Sequence, residues 1–393
     1  MRVAILVLTV CCLLLVACDK TQSNEWTILV YMAADNGLTL NADEDINEME
    51  AGGVPAGVTL IVLVDRNAWS NDPGAVVYRI EPDSDTTRIS SPVITHLGEA
   101  DTADPMILAE FAHWGFSRWR SGKRALVVWG HGNAWYRAAD WKSVCDDAQS
   151  NSTMSVADGE LRQALLGIPG GVDLLMFDAC LMQTAEVVAE VSDRAGWITG
   201  SLDKICVDGY AYDDLMRQWP AAASPAEMAA RTVSTSVDSY RPGGSQYDPG
   251  VQHAAFSATN TGAWIMAQNA VADFVQAALA ADAYSLLHDA RAEVSVFNDR
   301  DEMIDLVEYL RIVELGATGA LATAAGEAAE ALEQAVPEVD LFGYSAGATG
   351  RIAVWFPEYA YDFDNWQNAY AGMRWPASTG WDLFLSGYHA ALR

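Results

Sequence analysis

Apolar, β-branched runs recur along the first half of the chain, each bounded by turn or helix signals. They are WTILVYMAA (26–34), VTLIVLVD (58–65), RALVVWG (124–130), VDLLMFDA (172–179) and GWITGSL (196–202). Runs that are apolar throughout, rather than alternating, predict strands buried on both faces. Helical patterns fall between them: NADEDINEMEAG, DPMILAEFAHWGFSRWRSG and VADGELRQALLG. The first has an acidic opening turn and a closing glycine, and its carboxylates are expected on an exposed helix face. Strands alternating with helices predict an α/β fold with a mostly parallel sheet and right-handed crossovers. The stretch GAVVYRIEPDSDTTRISSPVITHLG reads instead as a β-hairpin excursion. Residues 203–250 read as irregular. Beyond them VQHAAFSATN and GRIAVWFPE predict further strands, and Ala-rich helices are expected over 262–293 and 301–335.

Composition narrows the class. The chain has 393 residues, 51% hydrophobic and 19% charged, with 53 acidic against 23 basic side chains and a net charge of −30. This describes a globular core with an anionic surface, which excludes nucleic-acid binding for want of clustered Lys and Arg. The first residues, MRVAILVLTVCCLLLVACDK, have Arg2 and then an apolar run too short for a comfortable membrane span. They read as a signal peptide (1–17) ending in a bacterial lipobox, so that Cys18 is lipidated and residues 18–25 form a tether. The expected location is the cell envelope outside the cytoplasm; Asp19 resembles an inner-membrane retention signal if the host is Gram-negative. Of the remaining cysteines, Cys145, Cys180 and Cys206, none fits a disulfide framework or a zinc spacing.

Unusual polar residues end three of the strands. VVWGHGNAW places His131 between two glycines directly after an apolar run. MFDACL places Cys180 between an apolar run and the helical pattern LMQTAEVVAEV, where a helix N-terminus would stabilise a thiolate. SLDKICVDGYAY follows with Asp203 and Asp208. Carboxyl ends of strands are where open α/β sheets bind ligands. A Cys/His pair at neighbouring strand ends is a nucleophile with its acid or base. Singly, each residue also has an ordinary structural reading.

These residues resemble the clostripain family of cysteine peptidases, whose wider clan includes caspases, legumains and gingipains. The resemblance rests on GHG after a strand, FDACLM about fifty residues later, WTILVYMAADNGL, SLDKICVDGYAY, RIAVWFPE and WDLFLSGY. It implies a caspase-like fold: a mostly parallel central sheet sandwiched by helices, with a helical C-terminal extension. The catalytic core would span 26–215, and 216–393 would complete the sheet and add helices. It implies an endopeptidase acting on protein or peptide substrates after Arg, with Lys second. Cys180 would be the nucleophile and His131 its partner, with the backbone N–H groups of Gly132 and Cys180 as oxyanion donors. Asp178 and Asp208 would receive the basic side chain, which suits bidentate recognition of a guanidinium by carboxylate.

The pocket loop lacks the proline and tryptophan expected of the family, and carries Lys204 and Cys206 instead; Cys206 reads as packing. Arg137 and Lys142 are the candidate self-cleavage points, against the plain alternative of an uncut loop. Asp146 and Asp147 are expected to be solvated. Calcium supports some relatives, but the sequence places no convergent oxygens for it, and no metal or other cofactor is expected. The competing class is a non-catalytic surface lipoprotein that uses the same fold as a binding module.

Overall fold

The computed structural model describes residues 24–136, 143–297 and 302–393. Cys18, Arg137 and Lys142 lie outside the described residues. Thirteen strands are present among the described residues: β1 (Trp26–Ala34), β2 (Val58–Arg66), β3 (Gly74–Arg79), β4 (Val93–Gly98), β5 (Lys123–Trp129), β6 (Val144–Asp147), β7 (Ser152–Met154), β8 (Val172–Asp178), β9 (Ala195–Ser201), β10 (Ala254–Asn260), β11 (Met303–Asp305), β12 (Glu338–Phe342) and β13 (Ala353–Trp355). Nine of them form one sheet in the order β12-β10-β9-β8-β5-β1-β2-β3-β4. The pairs from β2 through β9 are parallel, and both flanks are antiparallel. Each of the five apolar runs becomes a central strand within a residue or two of its expected bounds. The β3–β4 hairpin forms as read, and β10 and β12, from beyond residue 215, extend the same sheet.

Two helical layers cover the sheet. α1 (Thr39–Gly52) lies on one face, and α2 (Pro105–Arg118), α3 (Glu160–Leu166) and α4 (Ala185–Val191) lie on the other. α5 (Tyr212–Arg217) and α6 (Pro225–Tyr240) return to the first face. α7 (Thr261–Ala281), α8 (Tyr284–Glu293), α9 (Leu306–Gly316), α10 (Gly319–Ala335), α11 (Ala360–Tyr370), α12 (Arg374–Thr379) and α13 (Trp381–Ala391) thicken the second layer. No helix among the described residues is long and apolar enough to cross a membrane.

Three local expectations are corrected. The stretch 203–250 holds α5 and α6; α6 starts with a Ser224/Glu227 capping box and a proline in its first turn, a signal readable as SPAE. The 262–293 helix breaks at Asp282, which takes a left-handed φ of 48° between α7 and α8. GRIAVWFPE does not join the main sheet. Its β13 pairs with β11 and braces α4 instead.

That brace is made by a buried carboxyl. Glu186 is fully buried in α4 and accepts the Trp355 N–H at 2.9 Å and the Tyr370 hydroxyl at 2.8 Å, both on Oε1. Burial raises its pKa from 4.5 to about 7, against the pull of these donors. The unfolded carboxyl loses its proton near its ordinary value, whereas the folded one keeps it up to about 7. Stability from this group is therefore complete at low pH and declines as pH rises across that window. Glu186→Gln keeps the Oε1 acceptor and removes the titration. Urea unfolding at pH 5 and at pH 7.5 should show the wild type losing roughly 2 kcal/mol more than the variant between the two.

Candidate active site

The ends of β5 and β8 are locked together. Trp129 pairs with Asp178 as the last register position, and the Gly130 N–H donates to the Asp178 carbonyl at 3.2 Å. Gly130 holds φ 148°, with the Ala33 carbonyl where a Cβ would come within 3.1 Å. Two residues on, Gly132 lies against the backbone of Cys180. A Cβ there would meet Cys180 N and Ala179 Cβ at 2.9 Å, and the Cys180 carbonyl oxygen more closely still. Only glycine permits this approach, and it sets His131 beside Cys180 on one cleft of about 850 Å³. Asp35, Asn36, Trp69 and Lys204 also line it.

Cys180 does not sit at a helix N-terminus. α4 begins at Ala185, capped by the Thr184 hydroxyl, and Leu181 turns the chain with a left-handed φ of 61°. The dipole effect fades beyond the first turn, so it does not reach this thiol. Burial pushes the Cys180 thiol above its ordinary value; the Ile205 N–H, 3.4 Å from Sγ, and the Lys204 charge oppose this, and Asp178 and Asp203 add to it. The Cys180 thiol rests protonated under the 203–209 loop. Strand alternation also ends at Asp178, because 179–182 is a turn.

Asp178 is 2% exposed, beneath Gly209 and two tyrosines. Its Oδ2 accepts the Tyr212 hydroxyl at 2.8 Å and the Tyr210 N–H at 3.2 Å, while Oδ1 has no hydrogen-bond partner. Gly209 has φ 57°, and a Cβ there would fall 2.7 Å from that free oxygen. Asp208 is half-buried on the same loop, 3.6 Å from the Cys206 Sγ, and Cys206 packs against the lower core.

The α1 acids correct the expectation of an exposed face. Asp45 is buried and accepts the Trp129 indole N–H at 2.6 Å; Glu48 accepts the Tyr212 N–H at 3.1 Å. Burial and then neighbouring acids raise both, Asp45 beside Asp178 and Glu48 beside Asp213, with Glu48 reaching about 8. The helical period of NADEDINEME places Ala42, Ile46 and Met49 inward, and Asp45 falls on that stripe; this was the missed signal.

Asp146 and Asp147 are buried rather than solvated. Asp147 accepts the Thr102 and Ser150 N–H groups at 3.0 and 2.7 Å. It lies with Asp35, Asp65 and Glu99 in a second carboxylate group. Burial and mutual repulsion raise Asp65 to about 8.

A parallel α/β sheet with a thiol and an imidazole at adjacent strand ends, above a buried carboxylate, defines the caspase-like architecture. The sequence profile of the clostripain family matches residues 30–387, and the chain belongs to that family. Clostripain from Hathewaya histolytica is 28% identical over 232 residues, which cover 53% of this chain and 41% of that protein. The match thus spans less than half the length of that relative. A secreted C11 cysteine protease from Bacteroides thetaiotaomicron, solved with an irreversible peptide inhibitor, superposes with a TM-score of 0.70 at 21% identity, over 91% of this chain and 99% of that one. An inactive zymogen C11 protease from Parabacteroides distasonis gives 0.66 at 16% identity, over the same shares. At these identities the two structures establish the shared fold.

The buried resting thiol has a measurable consequence. The rate of Cys180 alkylation by iodoacetamide, followed by mass spectrometry, should rise with pH about a midpoint above the ordinary thiol range. Asp178→Asn, which removes a repelling carboxylate, should move that midpoint down. A midpoint below neutrality in the wild type would contradict the burial argument.

Proposed function

We propose that this chain is an exported, lipid-anchored cysteine endopeptidase that cuts peptide bonds after Arg, and after Lys less well. The observation that carries the reading is the contact of Gly132 on Cys180, which brings thiol and imidazole onto one cleft. The Cys180 proton passes to His131, and the thiolate attacks the substrate carbonyl carbon. The Gly132 and Cys180 N–H groups receive the charge that develops on oxygen. The C–N bond then breaks as the imidazolium protonates the leaving amine, and water hydrolyses the thioester. This sequence uses no cofactor.

The buried, unpartnered Oδ1 of Asp178 supports selection of a cation before the cut. An arriving guanidinium supplies the missing donor and favours the ionised carboxylate that burial disfavours. Asp208 lies on the same loop, and the buried carboxyls of Asp45 and Glu48 neighbour Asp178. Gly209 lies over Asp178, so substrate entry requires the 203–209 loop to shift. A zymogen among the structural relatives, and segment 137–142 joining two cleft-lining stretches, support self-cleavage at Arg137 or Lys142. The lipobox supports an anchor on Cys18 at the cell envelope, with protein or peptide substrates outside the cytoplasm.

Fluorogenic Arg, Lys and Asp peptides test the reading. Arg peptides should turn over fastest, and Cys180→Ala should cut kcat at least about 10⁴-fold. Asp178→Asn should lower kcat/KM for Arg peptides by roughly 10² or more while leaving Cys180 at least as open to alkylation as in the wild type, since a buried partner of the guanidinium is lost. Turnover confined to Asp peptides would remove Asp178 from the pocket. Absence of thiol-dependent turnover on all three would favour the binding-module class. Mass spectra of the wild type and Cys180→Ala should show cuts at 137 or 142 only in the former.

A further inference from the structure

Against 53 acidic side chains the protein sets 23 basic ones, yet three arginines line one open hollow of about 350 Å³ and no acid does. Arg79 ends β3, Arg118 ends α2, and Arg120 follows just beyond Trp119. All three are exposed, and among the described residues none of their guanidiniums makes a hydrogen bond or an ion pair. Glu25, the acid nearest to Asn24 along the chain, is not among the lining residues. The hollow lies at the amino ends of β1 and β2, so it is at the end of the sheet opposite the cleft.

The tether meets the fold at this hollow. The Thr59 hydroxyl donates to Asn24 Oδ1 at 3.3 Å, and Asn24 Nδ2 donates to the Thr27 hydroxyl at 2.9 Å. That hydroxyl donates in turn to the Trp119 carbonyl at 2.6 Å. Asn24 is thereby fixed in the wall of the hollow. Cys18 stands six residues earlier, at most about 20 Å of extended chain away. On the reading that Cys18 carries the acyl chains, the three arginines lie within that reach of a bilayer.

Charge and shape select the occupant. Anionic headgroups attract basic side chains at the surface, and each arginine there strengthens binding roughly fivefold. The net charge of −30 repels the same bilayer, but charges beyond a Debye length of about 8–10 Å are screened. The face turned to the lipid therefore decides. Trp119 is half-buried, with the Arg118 guanidinium 5.2 Å from its ring centre and Trp114 edge-on at 5.1 Å. An indole beside arginines suits the headgroup level of a membrane. The hollow is open and its guanidiniums exposed, which suits an array of headgroups and not one enclosed phosphate ion. We propose that Arg79, Arg118 and Arg120 form a docking face for anionic phospholipid headgroups, which orients the anchored protein on its membrane. β1 spans about 30 Å from this face to the cleft, so docking holds the cleft away from the bilayer and open to substrates.

The test replaces the acyl anchor, so it stands apart from the lipidation of Cys18. The chain from residue 19 keeps every described residue and carries Cys180→Ala to exclude self-cutting. An N-terminal hexahistidine tag holds it on vesicles containing nickel-chelating lipid. Phenylglyoxal modification of each arginine is followed by mass spectrometry, on phosphatidylcholine vesicles and on vesicles with about one-third phosphatidylglycerol. Arg79, Arg118 and Arg120 should react at least about threefold more slowly on the anionic vesicles, and Arg311 and Arg393 equally on both. NaCl at about 1 M, which shortens the Debye length to about 3 Å, should remove the protection. Arg118→Gln with Arg120→Gln, both at exposed positions, should cut the protection of Arg79 at least about twofold. Equal rates on the two vesicles, slowing of all arginines alike, or undiminished protection of Arg79 in the double variant would each overturn the face. Equal protection by inorganic phosphate without vesicles would overturn the choice of lipid. A mass spectrum of the N-terminal peptide from the producing cell reads the anchor separately: an unacylated Cys18 with protected arginines sinks the anchor and leaves the face standing.

Discussion

The close approach of the Gly132 backbone to Cys180 is the constraint on which the site depends. Parallel strands β5 and β8 already run side by side, but pairing alone would leave the loops beyond them free to diverge. The Gly130 N–H to Asp178 carbonyl bond extends the pairing one step past the register. Gly132 then removes the Cβ that would wedge the loops apart. His131 and Cys180 line one cleft because two backbones touch, not because their side chains attract. A geometry held by backbone survives the titration of either group. That suits chemistry in which a proton must move between them.

The second organising feature is a set of acidic groups buried without matching positive charge. The net charge of −30 is not spread evenly over the surface. Asp45, Glu48 and Asp178 gather beneath the 203–210 loop, and Asp35, Asp65 and Asp147 gather in a second group. Both groups lie at carboxyl ends of parallel strands. Desolvation and repulsion make each unfavourable in the resting chain. A ligand that brings positive charge relieves this cost at the moment of binding, so affinity is stored in the fold. On the proposed function, the first group awaits a substrate guanidinium and must release it every turnover.

Legibility in the sequence follows the same division. The five central strands were readable because both faces are buried, leaving unbroken apolar runs. His131 and Cys180 were readable because a polar residue ends each run. What escaped were features fixed by tertiary contact. Asp45 and Asp147 look like solvated acids in sequence, and only the packing of α1 and of the β6–β7 hairpin buries them. The LMQTAEVV pattern has helical spacing from its first residue, yet Thr184 takes the cap and leaves Cys180 in a turn. The strand in GRIAVWFPE was real, but its partner was β11, which nothing local could indicate.

The turn that separates Cys180 from α4 changes the account of its thiol. Had α4 begun at Cys180, its N-terminus would lower the thiol pKa in the resting chain, and the enzyme would carry a standing thiolate. Instead the turn at 179–182 detaches the thiol from the helix, and the 203–209 loop buries it. The same loop holds Gly209 over Asp178 and Lys204 at the cleft. Thiol acidity and pocket access are therefore governed by one segment. On the proposed function, a loop that moves to admit a basic side chain uncovers Asp178 and relieves the desolvation of Cys180 in a single displacement. On the same reading, substrate recognition and nucleophile activation are coupled through loop position, and the resting form shields the thiol from indiscriminate reaction.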